Sequence, residues 1–190
     1  MRAVSLLVAG LLLATACSSD PSTSTAEGAG PGPAAEADSA VAAAQPLAPL
    51  ATGDPLPAAL LGVLGGDGLL DMADLGGPAI INFWATWCAF CVEEMPDFEA
   101  VHADLGDSVR FIGVDREDNV AQALQLAADT GVSYELVEDV DGAYFRAVKA
   151  RGMPTTVFVS ADGVIVYRHA GPLTEQALRD LIGEHLGVTG

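Results

Sequence analysis

A nearly unbroken apolar run leads straight into a pair of cysteines, and this junction constrains the chain more than any other stretch. The run is Ala79-Ile80-Ile81-Asn82-Phe83-Trp84, and the pair is Cys88 and Cys91 in Trp87-Cys88-Ala89-Phe90-Cys91. A run of that length reads as a strand buried on both faces, which belongs inside a sheet covered on each side. The residues after Cys88 read as a helix. A strand that ends at a helix start delivers a cysteine to free backbone N–H groups and to the positive end of the helix dipole. That setting favours a thiolate, the reactive form of the side chain. The junction therefore points to dithiol–disulfide chemistry.

Two other uses of a CxxC pair fit less well. Structural zinc needs two more ligands, and His102, His169 and His185 stand at no ligand spacing from one another. A purely structural disulfide between positions three apart closes a very small loop and restrains little of the unfolded chain.

The rest of the chain alternates strands and helices. Leu60–Leu64, a glycine-rich turn and Leu69–Met72 predict a β-hairpin. Asp71–Gly77 predicts a short helical turn. The helix after Cys88 carries Pro96, a residue that kinks helices, and continues through Phe98, Val101 and Leu105. Val109–Asp115 is a second central strand. Asp118 or Asn119 caps a helix that ends at Gly131 and buries Val120, Leu124, Leu126 and Ala127. Tyr134–Val137 is a short strand and Ala143–Ala150 a short helix. Thr155–Val159 and Val164–His169 form a hairpin about Ala161-Asp162-Gly163. The last helix is capped by Thr174 and buries Leu178, Leu181, Ile182 and Leu186. This order is that of an α/β domain with a mixed central sheet flanked by helices, over residues 54–187.

The N-terminal third has a different character. Residues 1–16 have the charged start, short apolar core and small residues of a secretory signal. The apolar core is short of the roughly 20 residues that span a bilayer. Leu13-Ala14-Thr15-Ala16-Cys17 resembles a bacterial lipoprotein box, which implies lipidation of Cys17 as the mature N-terminus and accounts for the odd third cysteine. Residues 17–53 are rich in Ala, Pro, Gly, Ser and Thr, a composition without enough apolar surface to offset its ordering entropy, and read as a linker with a reach of roughly 30–35 Å. A formal charge of −18 argues against nucleic acid and against basic-patch docking on anionic lipid.

Asn82-Phe83-Trp84-Ala85-Thr86-Trp87-Cys88-x-x-Cys91-x-x-Glu94-Met95-Pro96, with Gly152-Met153-Pro154-Thr155-Thr156 and Asp162-Gly163 later, resembles the thioredoxin-like redoxins of the TlpA/ResA type. These are membrane-tethered, extracytoplasmic thiol–disulfide oxidoreductases. The resemblance implies a thioredoxin-like fold with an N-terminal β-hairpin and a central αβ insertion spanning Asp118–Asp139. It also implies roles. Cys88 is the nucleophile and Cys91 resolves the mixed disulfide. Glu94, three residues on and on the same helix face, handles the proton of Cys91 from a buried position that raises its pKa. Ordinary thioredoxins carry an aspartate where this chain has Asn82. Trp87 shields one side of Cys88, Pro154 is a cis-proline facing the disulfide, and Met153 offers its backbone to substrate. Phe90 is a candidate substrate contact. No cofactor or metal is expected.

The expected partners are extracytoplasmic protein thiols and disulfides, a membrane redox partner, and the membrane itself through the lipid. Reduction of disulfides, in cytochrome c maturation or metal-site assembly, is the leading reading. The alternatives are an oxidase that introduces disulfides into secreted proteins and, more remotely, a copper-binding assembly protein, whose relatives use CxxxC rather than CxxC. Ala89-Phe90 departs from the proline common in reductase-type members and leaves the direction of electron flow open.

Overall fold

The computed structural model describes residues 53–116 and 119–190. The signal, the lipoprotein box with Cys17 and almost all of the linker lie outside the described residues.

The strands are β1 (Asp54–Pro55), β2 (Leu60–Val63), β3 (Leu69–Asp71), β4 (Ala79–Trp84), β5 (Arg110–Asp115), β6 (Glu135–Glu138), β7 (Thr155–Val159) and β8 (Val164–Ala170). The helices are α1 (Ala89–Leu105), α2 (Val120–Thr130), α3 (Ala143–Ala147) and α4 (Glu175–Leu186). All strands join one sheet in the order β1-β8-β7-β4-β5-β6-β2-β3. β4 runs parallel to β5 and antiparallel to β7, so the sheet is mixed.

Every residue of β4 is buried, as an apolar run of strand length requires. Side chains of a strand alternate between faces. Ile81 and Phe83 point into a core with Val114, Val157, Tyr144 and Phe145 on the α3 side. Ile80 points the other way, into a core with Phe98, Val101, Phe158, Leu178 and Ile182 beneath α1 and α4. Asn82 shares that second face. Beyond it Trp84 enters a third cluster with Ala85, Cys88, Cys91 and Met95.

The hairpin β2–β3 is present and docks on the sheet through pairing of β2 with β6. α2 and β6 are the central insertion. Asn119 caps α2, its Oδ1 accepting from the Ala121 and Gln122 N–H groups at 3.0 and 3.4 Å, and Gly131 closes it in the left-handed conformation.

Three expectations need correction, and one strand has no counterpart in the sequence reading. Asp71–Gly77 is a turn and not a helix: the Asp71 Oδ1 takes the Ala73 N–H at 2.9 Å, a local bond that competes with helix formation. α2 buries Ala123 and Ala127, while Val120 and Leu124 are exposed and Leu126 is half-buried. The burying stripe is the one with the smallest side chains. α3 stops at Ala147, and Lys149 beyond it has φ 62° while its Nζ pairs with Asp54 Oδ2 at 2.6 Å. β1, unannounced in the sequence, is a two-residue strand on the edge of β8. Pro96 lies within α1, which continues to Leu105.

Gly113, in the middle of β5, has no side chain because none fits. A Cβ there would meet Leu136 Cδ2 at 2.6 Å, Trp84 Nε1 at 3.0 Å and Tyr134 Cε2 at 3.0 Å. Gly113→Ala is expected to cost about 1–3 kcal/mol of stability, as overpacking does, read by denaturant unfolding. An unchanged midpoint would show that Leu136 and the two rings give way freely.

Candidate active site

The site is built at the end of β4. Trp84 is the last strand residue, the Cys88 N–H donates to Ala85 O at 3.1 Å in the turn that follows, and Cys88 becomes the N-cap of α1. Its sulfur accepts the Cys91 backbone N–H at 3.3 Å, the bond that a serine or aspartate oxygen makes at other helix starts. Cys88 and Cys91 are joined as a disulfide with their Cα atoms 5.3 Å apart. Cys88 retains 8% exposure and Cys91 none, so one residue of the pair reaches the surface and its partner does not. Cys88 thus stands at a helix N-terminus, a place that favours negative charge.

The flanking side chains differ from their sulfurs. Trp87 is 63% exposed and Phe90 59% exposed, so large apolar side chains flank a nearly buried cysteine in the chain, an apolar collar on either side of it. Met153 is half-buried and packs against the cluster that contains both cysteines. The Met153–Pro154 peptide is cis, and Pro154 is buried. Its carbonyl accepts the Gly171 N–H at 3.0 Å, and the Thr155 hydroxyl donates to Gly152 O at 2.6 Å. The fold thus brings residues 153 and 154 to the cysteine pair across 60-odd positions of sequence.

Glu94 is 2% exposed, one turn beyond Cys91 on the same face of α1. Its Oε1 accepts from Asn82 Nδ2 at 2.8 Å, and its Oε2 accepts from the Leu173 backbone N–H at 2.9 Å. Burial pushes its pKa from the ordinary 4.5 up to about 7; the two donors pull it down and the nearby Asp97 adds a smaller push upward. Burial wins because two hydrogen bonds replace only part of a carboxylate's hydration. Tyr134 is buried against this region, with its phenol pushed above its usual range by burial and by the charges of Glu94 and Glu99.

The Leu173 N–H has no sequence signal, since it is a backbone group 79 positions from its acceptor. Asn82 carried one: a lone amide in a strand otherwise apolar on both faces must have a partner in the interior. Among the described residues, no group of three or more His, Cys, Asp or Glu could hold a metal ion, and no helix is long and apolar enough to cross a membrane.

Paired cysteines at a helix start, one reaching the surface and one buried, exchange disulfides with other thiols, and this sheet carrying them is the thioredoxin-like architecture. The chain is a thiol–disulfide oxidoreductase of that class. It belongs to the redoxin family, whose model, described as Redoxin, matches residues 51–182. A thiol:disulfide interchange protein DsbE from Pseudomonas fluorescens biotype C is 38% identical over 130 residues, covering 67% of this chain and 71% of that one. The chain spans little more than half the length of two further DsbE relatives, from Pasteurella multocida and Haemophilus influenzae. Among solved structures, a secreted Mycobacterium tuberculosis disulfide oxidoreductase homologous to Escherichia coli DsbE superposes with a TM-score of 0.60 at 26% identity, covering 66% of this chain and 95% of that one. A thiol:disulfide interchange protein from Chlorobium tepidum shares the fold with a TM-score of 0.64 at 23% identity, covering 72% and 99%.

The Glu94 environment has a thermodynamic consequence. Below pH 4.5 the group is protonated in folded and unfolded chains alike. Between 4.5 and about 7 the folded protein keeps a proton that the unfolded chain has released, so stability falls as pH rises. Each pH unit is worth about 1.4 kcal/mol, a total of roughly 3 kcal/mol. Glu94→Gln removes the titration. The stability of the wild type relative to this variant is therefore expected to drop by about that amount between pH 4.5 and 8, by urea unfolding at each pH. Parallel pH curves for the two proteins would rule this out.

Proposed function

We propose that the protein is a membrane-tethered, extracytoplasmic reductase of protein disulfides, acting in cytochrome c maturation or metal-site assembly. The observation that carries the direction is the buried Glu94 one turn from Cys91. Strong oxidants of this fold owe their potential to a stabilised reduced form. A buried carboxylate beside the pair works the opposite way, because its charge opposes a second negative charge on sulfur. The relative described as secreted supports the extracytoplasmic reading, and Cys17 as a lipidated N-terminus supplies the tether.

In this reading Cys88 thiolate attacks a substrate disulfide, forms the mixed disulfide and expels the first substrate sulfur. Glu94 takes the proton of Cys91, which then attacks the Cys88 sulfur and releases the second substrate sulfur. The substrate gains two electrons and the protein is left as its Cys88–Cys91 disulfide, which a membrane redox partner reduces again. Trp87, Phe90 and the Met153–Pro154 segment receive the polypeptide around the scissile disulfide, with the Met153 backbone pairing strand-like with it.

The reduction potential tests the direction. A value of roughly −270 to −230 mV against glutathione or dithiothreitol buffers is expected, whereas one near about −120 mV makes the protein an oxidase. Cys91→Ser is expected to trap the mixed disulfide. Glu94→Gln is expected to slow exchange about tenfold or more and to abolish the rise in rate through pH 7, while leaving the circular dichroism unchanged. Cys17→Ala is expected to move the protein from the membrane fraction to the soluble one; unchanged fractionation removes the tether from the proposal.

A further inference from the structure

Glu94 has to exist in two protonation states inside the same closed space if it is to take a proton and return it. Its two oxygens are not equivalent. Oε2 faces the Leu173 backbone N–H at 2.9 Å, a donor that can never become an acceptor. A proton on the carboxyl therefore belongs on Oε1. That oxygen faces the Nδ2 of Asn82 at 2.8 Å, which is also a donor in the arrangement seen. With Glu94 protonated, two donors would confront each other in a site where both residues are 2% exposed, and an unmade buried hydrogen bond is costly.

Three features of Asn82 resolve the conflict. Its Oδ1 is buried and makes no hydrogen bond among the described residues. Its Nδ2 already serves Glu94 and, at 3.3 Å, the Thr156 hydroxyl. Thr156 is fully buried and sits opposite Asn82 in the β4–β7 register. A half-turn of the amide about its terminal bond exchanges oxygen and nitrogen with almost no change of shape. Oδ1 then accepts from the protonated Oε1 and from the Thr156 hydroxyl, which rotates from acceptor to donor. The turn exchanges two hydrogen bonds for two, and it sets the amide N–H groups where Oδ1 stood, a buried place that offers them no partner among the described residues.

We propose that Asn82 is a positioning residue whose side-chain amide turns over with the protonation of Glu94, donating to the carboxylate and accepting from the acid. The proposal rests on the reading of Glu94 as the proton carrier and gives it a means of running in both directions. An aspartate at position 82 has no such freedom, since it adds a second titrating group against the first. Other charged or titratable groups face this space. Asp97 lies on α1, Tyr134 just before β6, and His169 opposite Thr156 on β8, its imidazole held below its usual pKa by burial.

The test is an NMR titration of the oxidised full-length protein, following the Glu94 carboxyl carbon and the Asn82 side-chain NH₂. Both are expected to move with one midpoint near pH 7, with the NH₂ losing its contact to Thr156 on the acid side. In Glu94→Gln the Asn82 signals are expected to stay flat, which separates Glu94 from His169 as the driver. In Asn82→Leu the Glu94 midpoint is expected to rise by about one unit, because the charged form loses a stronger hydrogen bond than the neutral form does. Should that variant not fold, the wild-type titration decides alone. Asn82 signals that stay still while Glu94 titrates, or that still move in Glu94→Gln, overturn the proposal. Exchange kinetics judge the Glu94 role separately: normal rates in Glu94→Gln with coupled wild-type titrations refute the proton-carrier reading and leave the amide turn standing.

Discussion

β4 is bonded on both edges and covered on both faces, and everything at the site is placed by it. Its parallel partner β5 and antiparallel partner β7 fix its register from Ala79 to Trp84. With the register fixed, alternation decides which side chains face α1, and Asn82 is the polar one among them. The turn after Trp84 then sets Cys88 as the first cap of α1. Pairing with β7 also brings Thr156 opposite Asn82 and holds the Met153–Pro154 segment at the end of the next strand. A slip of β4 by one residue would exchange its faces. It would place Phe83 under Glu94 and Asn82 in the Tyr144–Phe145 core.

The elements readable from the sequence are those whose signals are local. The apolar run of β4, the Asn119 cap and Gly131 stop of α2, and the β-branched Thr155–Val159 need no distant partner to be recognised. The cysteine pair was legible through its position after the run. Glu94 and Pro154 were legible through resemblance to a family pattern. What could not be read is non-local or inverted. Val120 and Leu124 are the larger apolar residues of α2 and face solvent, because the helix approaches its neighbours through Ala123 and Ala127. β1 is two residues long and exists only because β8 offers an edge. The donor from Leu173 belongs to the backbone of a loop, and backbone groups look alike in every sequence.

Cys88 and Glu94 mark two levels of the same site. At the upper level Cys88 caps a helix start, where the backbone favours negative charge, and its sulfur accepts an N–H. At the lower level burial resists negative charge on a carboxyl, and two donors moderate that resistance. The two cysteines, three positions apart on one helix, are thereby given unequal surroundings by depth alone.

The collar around Cys88 separates what touches the protein from what reacts with it. Trp87 and Phe90 offer large surfaces, while Cys88 between them in the chain is nearly buried. If the collar receives substrate as proposed, a small free thiol gains little from it. An extended polypeptide would lay its own side chains on the two rings and be held while its disulfide finds Cys88. Under the proposed function, discrimination between the low-molecular-weight thiol pool and protein substrates would be a matter of residence time and not of intrinsic thiol reactivity.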